Sequence, residues 1–511
     1  LGHRAGDLMP ASSALKKISF VSIALVLFLF SFDGVSTYAS PPEEKLTKGD
    51  NLPASSGGYL IYVPFLADDS CFPCDSVPSP FSISIAELFG VNFPSQVQAL
   101  KDSGAGWARI NLEWWRVEPN APSGPGVHLY NWSLYDNKLG AVTAIGVRPI
   151  VIVDGVPSWA DTTGSPFCPP ISSDRLDEFS EFLTDLVNRY QQPPYQIHHW
   201  EIINEPDAIG ASPLGSNCWG NAGLQYAQML AVASPAIKAA DPQATVLMGG
   251  IAYDAFTEYS GPFNRYFPDN VMSNGGSAYL DVLNFHYFPD YYLEWEQWNT
   301  NTPHCGPING QGTPYSGSGV DVMAKFNHLR NRMQTCFGVN KPIWITELAQ
   351  HGYEGNSSSL VLQSRYVIQG YARGLAAGAK NITWYALKIA TDDATNYPNE
   401  QGLLYDDLSP KPAFNTYKVM TAELKGYEYN RTLSVSGGGE AYVFRSPYPK
   451  EKTAAWGAGI LTFAPATQLR VVSRLGTITF IQDGGVGDTN GSPNAVGVQL
   501  TADPVFIQVV S

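Results

Sequence analysis

His198-His199-Trp200-Glu201-Ile202-Ile203-Asn204-Glu205-Pro206-Asp207 runs an apolar strand into an amide, a carboxyl group and a chain-breaking proline. Its branched and aromatic side chains suit a buried strand, and Pro206 has no amide hydrogen with which to continue a ladder, so the strand is predicted to stop at Glu205. A carboxyl group delivered to the rim of a sheet is a candidate for chemistry. Strict alternation puts Glu201, Ile203 and Glu205 on one face and Asn204 on the other. Asn204 and Glu205 can therefore share one cleft only through a kink or bulge at the strand end. Glu201, deeper in the strand, reads as a structural carboxylate.

Far along the chain, Lys341-Pro342-Ile343-Trp344-Ile345-Thr346-Glu347-Leu348 has the same build: a short apolar run, opened by a proline and reaching a glutamate. Only a fold that gathers distant strand ends makes Glu205 and Glu347 a pair, and a closed barrel of parallel strands does so at their carboxyl ends. Two carboxyls facing one bond, one raised in pKa as acid and one ionised as nucleophile, are the minimum for retaining glycoside hydrolysis. Asn204-Glu205-Pro206 and Ile345-Thr346-Glu347 resemble the two active-site strands of clan A retaining glycoside hydrolases, nearest to families 39 and 5. The resemblance runs from about Phe81 to about Glu423. It implies an α/β fold, a (β/α)8 TIM barrel, followed by a small C-terminal β-sandwich.

Other strand ends add to the resemblance. In Trp107-Ala108-Arg109-Ile110-Asn111-Leu112-Glu113 the family places an arginine that supports the nucleophile, which transfers to Arg109, whose fixed charge would hold Glu347 ionised. In Asn284-Phe285-His286-Tyr287-Phe288 the family's substrate-touching and nucleophile-orienting pair transfers to His286 and Tyr287. Asn381-Ile382-Thr383-Trp384-Tyr385 offers Trp384 as the floor beneath the sugar. Glu347 is expected to act as nucleophile, Glu205 as acid and base, and Asn204 as the partner of the sugar 2-hydroxyl. Ile203 and Asp207 depart from the family's usual neighbours of the Asn-Glu pair. Rival readings on the same barrel are a non-catalytic carbohydrate-binding or cell-surface protein, and a transglycosylase.

Length fits two domains, since 511 residues exceed what one barrel usually needs. Lys16-Lys17, the apolar run Ile18 to Phe32 and Thr37-Tyr38-Ala39 read as a secretory signal peptide in 1–39, with an uncleaved membrane anchor as the alternative. A Pro/Gly/Ser-rich linker and N-terminal extension follow over 40–80, then the catalytic barrel over 81–425. From 426 to 511, short β-branched runs separated by Gly, Pro and Asp turns suggest the sandwich, read as a buttress. A hydrophobic share of 44% against 15% charged describes a chain that buries a large core. The formal net charge of −15 argues against a nucleic-acid partner, which needs clustered Lys and Arg, and is compatible with a neutral oligo- or polysaccharide.

Six cysteines in an exported chain suggest disulfides, with Cys168–Cys218 and Cys305–Cys336 as preferred pairs and Cys71–Cys74 as a third. No Cys or His spacing points to a metal site, and no cofactor or protein partner is implied. Asn131, Asn356, Asn381 and Asn430 stand in glycosylation sequons. Tyr291, Tyr292, Trp295 and Trp298 are candidates for outer sugar subsites.

Overall fold

The computed structural model describes residues 78–85, 93–162, 169–209, 218–289, 319–389 and 400–510. The leader, the linker, Cys71, Cys74, Cys168, Cys305 and the aromatic stretch Tyr291 to Trp298 lie outside the described residues. Eight parallel strands form one sheet: β1 (Phe81–Ile85), β2 (Trp107–Glu113), β3 (Arg148–Asp154), β4 (His199–Ile202), β5 (Thr245–Met248), β6 (Leu283–Tyr287), β7 (Ile343–Leu348) and β8 (Ile382–Trp384). Their order is β5-β4-β3-β2-β1-β8-β7-β6. Parallel bridges Leu247–Val282 and Ile251–Phe285 join its two ends, so the sheet is all but closed into a barrel. Helices follow the strands around the outside, among them Phe93–Ser103, Leu176–Tyr190, Gly223–Ala240, Val322–Phe337, Ser357–Ala377 and Pro412–Leu424.

The barrel interior is layered, and the layers change from apolar to polar towards the carboxyl ends of the strands. At the bottom, Trp107, Ile150, Leu247, Val282 and Trp344 form a closed cluster, with the His199 ring 4.7 Å from Trp107. One step up, two residues on from Trp107, comes Arg109, and beside it Glu201, Asn284 and Thr346, all fully or almost fully buried. Polar groups at that depth hold only because each has partners; Asn284 Nδ2, for instance, donates to Thr346 Oγ1 at 3.1 Å. Another step up, Asn111 is exposed although it lies in the middle of a barrel strand. The plug therefore ends below Asn111, and a cleft begins there.

The C-terminal part is antiparallel. β9 (Glu428–Ser434), β10 (Glu440–Arg445), β11 (Glu451–Trp456), β13 (Gln468–Ser473), β14 (Ile478–Gln482) and β16 (Val505–Val509) make a six-stranded sheet, and β12 (Ile460–Phe463) pairs with β15 (Val496–Gln499). Between the two sheets Ala441, Ala455, Leu469, Val496 and Ile507 build a second core, consistent with a sandwich. Ion pairs join it to the barrel: Glu423 of the last barrel helix meets Lys452 at 3.0 Å and Arg470 at 2.9 Å.

Candidate active site

Arg109 organises the cleft floor. Its guanidinium donates through Nε and Nη2 to the two oxygens of Glu201 at 2.8 and 2.7 Å, through Nη1 to Glu347 Oε1 at 2.6 Å, and through Nη2 to Asn204 Oδ1 at 2.8 Å. Burial works against the charge, but the carboxylates of Glu201 and Glu347 outweigh it and raise the Arg109 pKa above its ordinary value. The fork is thus clamped by Glu201 and presents its free arm to Glu347. Glu201 is fully buried and also accepts from the Gly250 amide at 2.9 Å. Its structural reading stands, with a partner the sequence does not reveal.

β4 ends earlier than the sequence reading places it, at Ile202 rather than Glu205, because the backbone turns. Ile203 adopts φ +67° and Glu205 φ +43°, the left-handed region that non-glycine residues rarely enter. This is the kink that alternation requires. Ile203 donates to the Val153 carbonyl at 2.9 Å and Glu205 to the Gly250 carbonyl at 3.0 Å. Asn204 reaches Arg109 while Glu205 reaches the other side of the cleft. Beyond Pro206, the buried Asp207 accepts from the Ala252 and Tyr253 amides at 3.0 and 2.7 Å and ties this turn to the end of β5.

His286 stands between the two glutamates. Its Nδ1 is 2.9 Å from Glu205 Oε1 and 3.5 Å from Glu347 Oε2. Burial pushes the imidazole down to about 4, so it is neutral at ordinary pH, and Nδ1 is the ring nitrogen that faces the carboxyls. Oxygens of Glu205 and Glu347 and a nitrogen of His286 all lie within 4.8 Å of one another. Gly250 makes this packing feasible, since a Cβ there would lie 2.3 Å from His286 Nε2 and 2.7 Å from Thr346 Oγ1. Burial raises the Glu205 carboxyl to about 7 against the charges of Arg109 and Lys325. It raises Glu347 too, with His286 and Arg109 opposing. Of these two glutamates Glu347 is the one bonded directly to Arg109, and that contact favours its ionised form.

Two expected positions need correction. Tyr287 pairs in register with Leu348, whereas His286 pairs with Glu347. The Tyr287 ring therefore faces away from the cleft, buried near Lys325 Nζ, which lies 5.8 Å from it, and its phenol is not the group that orients Glu347. Trp384 also pairs with Leu348, is wholly buried, and donates from Nε1 to the Gln401 carbonyl at 3.0 Å. A ring with no exposed face cannot stack on a sugar. The next residues, Phe288 and Tyr385, are partly exposed and meet edge to face with centroids 6.2 Å apart. Sequence reading also misses Asn111, Glu113 and Asp154, which follow Arg109's side of the barrel to the rim; a polar residue at every second position of β2 was the available signal.

Among the cysteines, Cys218 and Cys336 are each disulfide-bonded; the pairings themselves lie outside the described residues. Asn381 is buried, and a buried amide at a strand start is no acceptor for a glycan.

A family model described as cellulase, glycosyl hydrolase family 5, matches residues 85–386. Among solved structures, a family 39 glycoside hydrolase from the gut symbiont Bacteroides cellulosilyticus WH2 superposes with a TM-score of 0.61 at 20% identity, covering 85% of this chain and 82% of that one. The catalytic domain of GH30 xylanase C from Talaromyces cellulolyticus gives 0.56 at 14% identity over 85% and 98% of the two chains. A monomeric beta-xylosidase from Caulobacter crescentus CB15 gives 0.55 at 14% over 85% and 97%. A curated relative, "Probable inactive beta-glucosidase 25" of Arabidopsis thaliana, is 28% identical over 119 residues, 22% of this chain and 21% of that protein. This chain thus spans about a fifth of the length of that relative.

Proposed function

The chain belongs to glycosyl hydrolase family 5, within the clan A retaining enzymes on (β/α)8 barrels, and from that premise we propose that it hydrolyses β-linked glycans or oligosaccharides by double displacement. The observation that carries this reading is the approach of the Glu205 and Glu347 oxygens within 4.8 Å. Retaining glycosidases hold their carboxyls about 5 Å apart, whereas inverting ones leave roughly 6.5 to 9.5 Å for a water. Glu347, paired with Arg109, attacks the anomeric carbon, and the bond to the leaving oxygen breaks as Glu205 supplies its proton. The glycosyl-Glu347 ester is then cleaved by a water whose proton returns to Glu205. Asn204 bonds the sugar 2-hydroxyl, a contact that strengthens as the ring gains oxocarbenium character. Tyr385 and Phe288, in place of Trp384, supply the ring surface under the sugar.

The assignment covers both an exo-acting β-glycosidase such as a β-xylosidase and an endo-β-glycanase. We place the protein outside the cytoplasm, secreted or on an uncleaved anchor; the charged and apolar pattern of residues 16–39 and the bonded state of Cys218 and Cys336 support that placement. Cys168 and Cys305 are the assigned partners. Incubation with 2-deoxy-2-fluoro β-glycosides of xylose, glucose and mannose tests the mechanism. One of them should add its sugar mass to the peptide containing Glu347. Label on another residue, or hydrolysis of natural substrates with inversion at the anomeric carbon, would refute it. A protein that binds glycans but neither releases aglycone from the three matching aryl glycosides nor cleaves the matching polysaccharides would support the non-catalytic rival instead.

A further inference from the structure

We propose that Lys325 is a positioning residue for the reaction: its ammonium group closes the seam between the two ends of the barrel sheet and thereby sets the His286 imidazole between Glu205 and Glu347. The proposal rests on the double-displacement reading above. Lys325 stands near the start of the helix Val322–Phe337 and is fully buried. Its Nζ donates to the carbonyls of Ala252 at 2.6 Å and His286 at 2.8 Å, and Asp254 Oδ2 lies 3.6 Å away. An ammonium group at that depth holds its charge only against such partners.

The seam needs closing because β5 and β6 meet through isolated bridges and not through a ladder. Beyond β5 the chain keeps to β6 for one step: the Ile251 amide donates to the Asn284 carbonyl at 3.3 Å, and the His286 amide to the Ile251 carbonyl at 2.9 Å. In a parallel ladder the next rung would run from the Tyr253 amide to the His286 carbonyl. It does not form, because Tyr253 turns to φ +44° and its amide goes to Asp207 Oδ2 at 2.7 Å. Lys325 supplies the missing donor.

The same short segment mounts the turn that carries Glu205. The Gly250 carbonyl accepts from the Glu205 amide at 3.0 Å, and a Cβ on Gly250 would lie 2.3 Å from His286 Nε2. Asp207 holds the amides of Ala252 and Tyr253 while Lys325 holds the Ala252 carbonyl, so an anion and a cation grip the segment together. His286 thus has its backbone fixed by Ile251 and Lys325, and its Nδ1 delivered 2.9 Å from Glu205 Oε1 and 3.5 Å from Glu347 Oε2. Loss of the ammonium group loosens the seam, and the imidazole moves with it. The titratable groups around Lys325 are Asp254, Asp207 and Glu205 on the loops after β5 and β4, with His286 of β6 and His328 of its own helix, both kept neutral by burial.

The test reads kcat/KM on the 4-methylumbelliferyl β-glycoside of one accepted sugar for wild type, Lys325→Met, His286→Ala and the two substitutions combined. Methionine keeps the length of the stem without a donor or a charge. Lys325→Met should cost about 30-fold alone and less than about threefold where His286 is already alanine, since nothing is then left to position. The Lys325 charge also draws the Glu205 carboxyl down, so in Lys325→Met the basic limb of kcat/KM should move upward from about pH 7. A lysine that only supports the fold would leave that limb in place. Hydrogen–deuterium exchange without substrate should quicken in peptides covering residues 249–256 and 283–288 and stay unchanged over 107–113 and 148–154. Lys325→Met combined with Asp254→Asn, which removes both charges, takes the same exchange measurement if the single variant does not fold. Equal cost with and without His286, an unmoved limb, or unchanged exchange along the seam overturns the proposal. Should wild type cleave no such glycoside, the double displacement fails on its own account, while exchange still decides whether Lys325 closes the seam.

Discussion

Glu205→Gln swaps an ionisable carboxyl for a neutral amide of the same shape, and the structure gives both the sign and the size of the effect on stability. Burial raises this carboxyl from 4.5 to about 7, and the side chain is 18% exposed. In the unfolded chain it titrates near its ordinary value. Between the two pKa values the folded protein therefore keeps a proton that the unfolded chain has released. Stabilisation from that proton is complete below pH 4.5 and is lost as the pH rises through about 7. At about 1.4 kcal/mol per pK unit, ionised Glu205 costs the fold on the order of 3 kcal/mol at alkaline pH. Glutamine carries none of that cost. Measured by thermal unfolding, the variant should melt on the order of 5 °C above wild type near pH 8. Near pH 4.5 the two should melt together. The same titration predicts that kcat/KM of wild type declines above about pH 7, a limb the variant lacks. A variant that melts below wild type at pH 8, or that gains equally at both pH values, refutes the reasoning.

Arg109→Lys keeps the charge but loses the fork that spans Glu201, Asn204 and Glu347; kcat should fall about 100-fold, with the acid limb of the pH profile moving upward as Glu347 loses its direct partner. Glu423→Ala strands Lys452 and Arg470 at the junction with the C-terminal sheet, Lys452 being only 8% exposed. Unfolding in urea should show a loss of about 3 kcal/mol while kcat/KM of the folded enzyme at 25 °C stays unchanged. Tyr385→Ala should raise KM for the preferred glycoside about tenfold with little change in melting temperature. Trp384→Phe should lower the melting temperature and leave KM where it was, and the reverse pattern would restore Trp384 to the cleft.

Much of this is legible in the sequence because polar groups inside a barrel have few places to be. Glu205 and Glu347 sit at or near the ends of apolar strands and Arg109 lies within one, and a charge in either place faces a cleft or meets a partner. The C-terminal part shows the opposite limit. β9, Glu-Tyr-Asn-Arg-Thr-Leu-Ser, escapes detection because it is an edge strand whose exposed polar side chains carry no apolar run. The helix Ser357–Ala377 has a first turn of three serines that carries no apolar spacing and is held instead by the Asn356 side chain accepting from the Ser359 amide.

The Tyr287 and Trp384 assignments fail for a single reason. Both residues flank Leu348 in the sheet, so Tyr287, Leu348 and Trp384 form one row across β6, β7 and β8 facing the helices. Adjacent residues of a strand face opposite sides, so Tyr287 turns outward beside the inward His286; the register shifts, between Phe285 and His286 against β7 and between Ile345 and Leu348 against β8, both put their extra residue in β7. Nothing in the residue types marks those shifts. Aromatic rings are poor guides to phase, because a tyrosine or tryptophan is equally at home in a core or a cleft. Charged and imidazole groups are better guides: His286 and Glu347 would be costly against the helices, so they set the phase of their strands. Counting two onward from His286 arrives at Phe288, the half-buried ring that meets Tyr385. The cleft's aromatic wall follows from its charges.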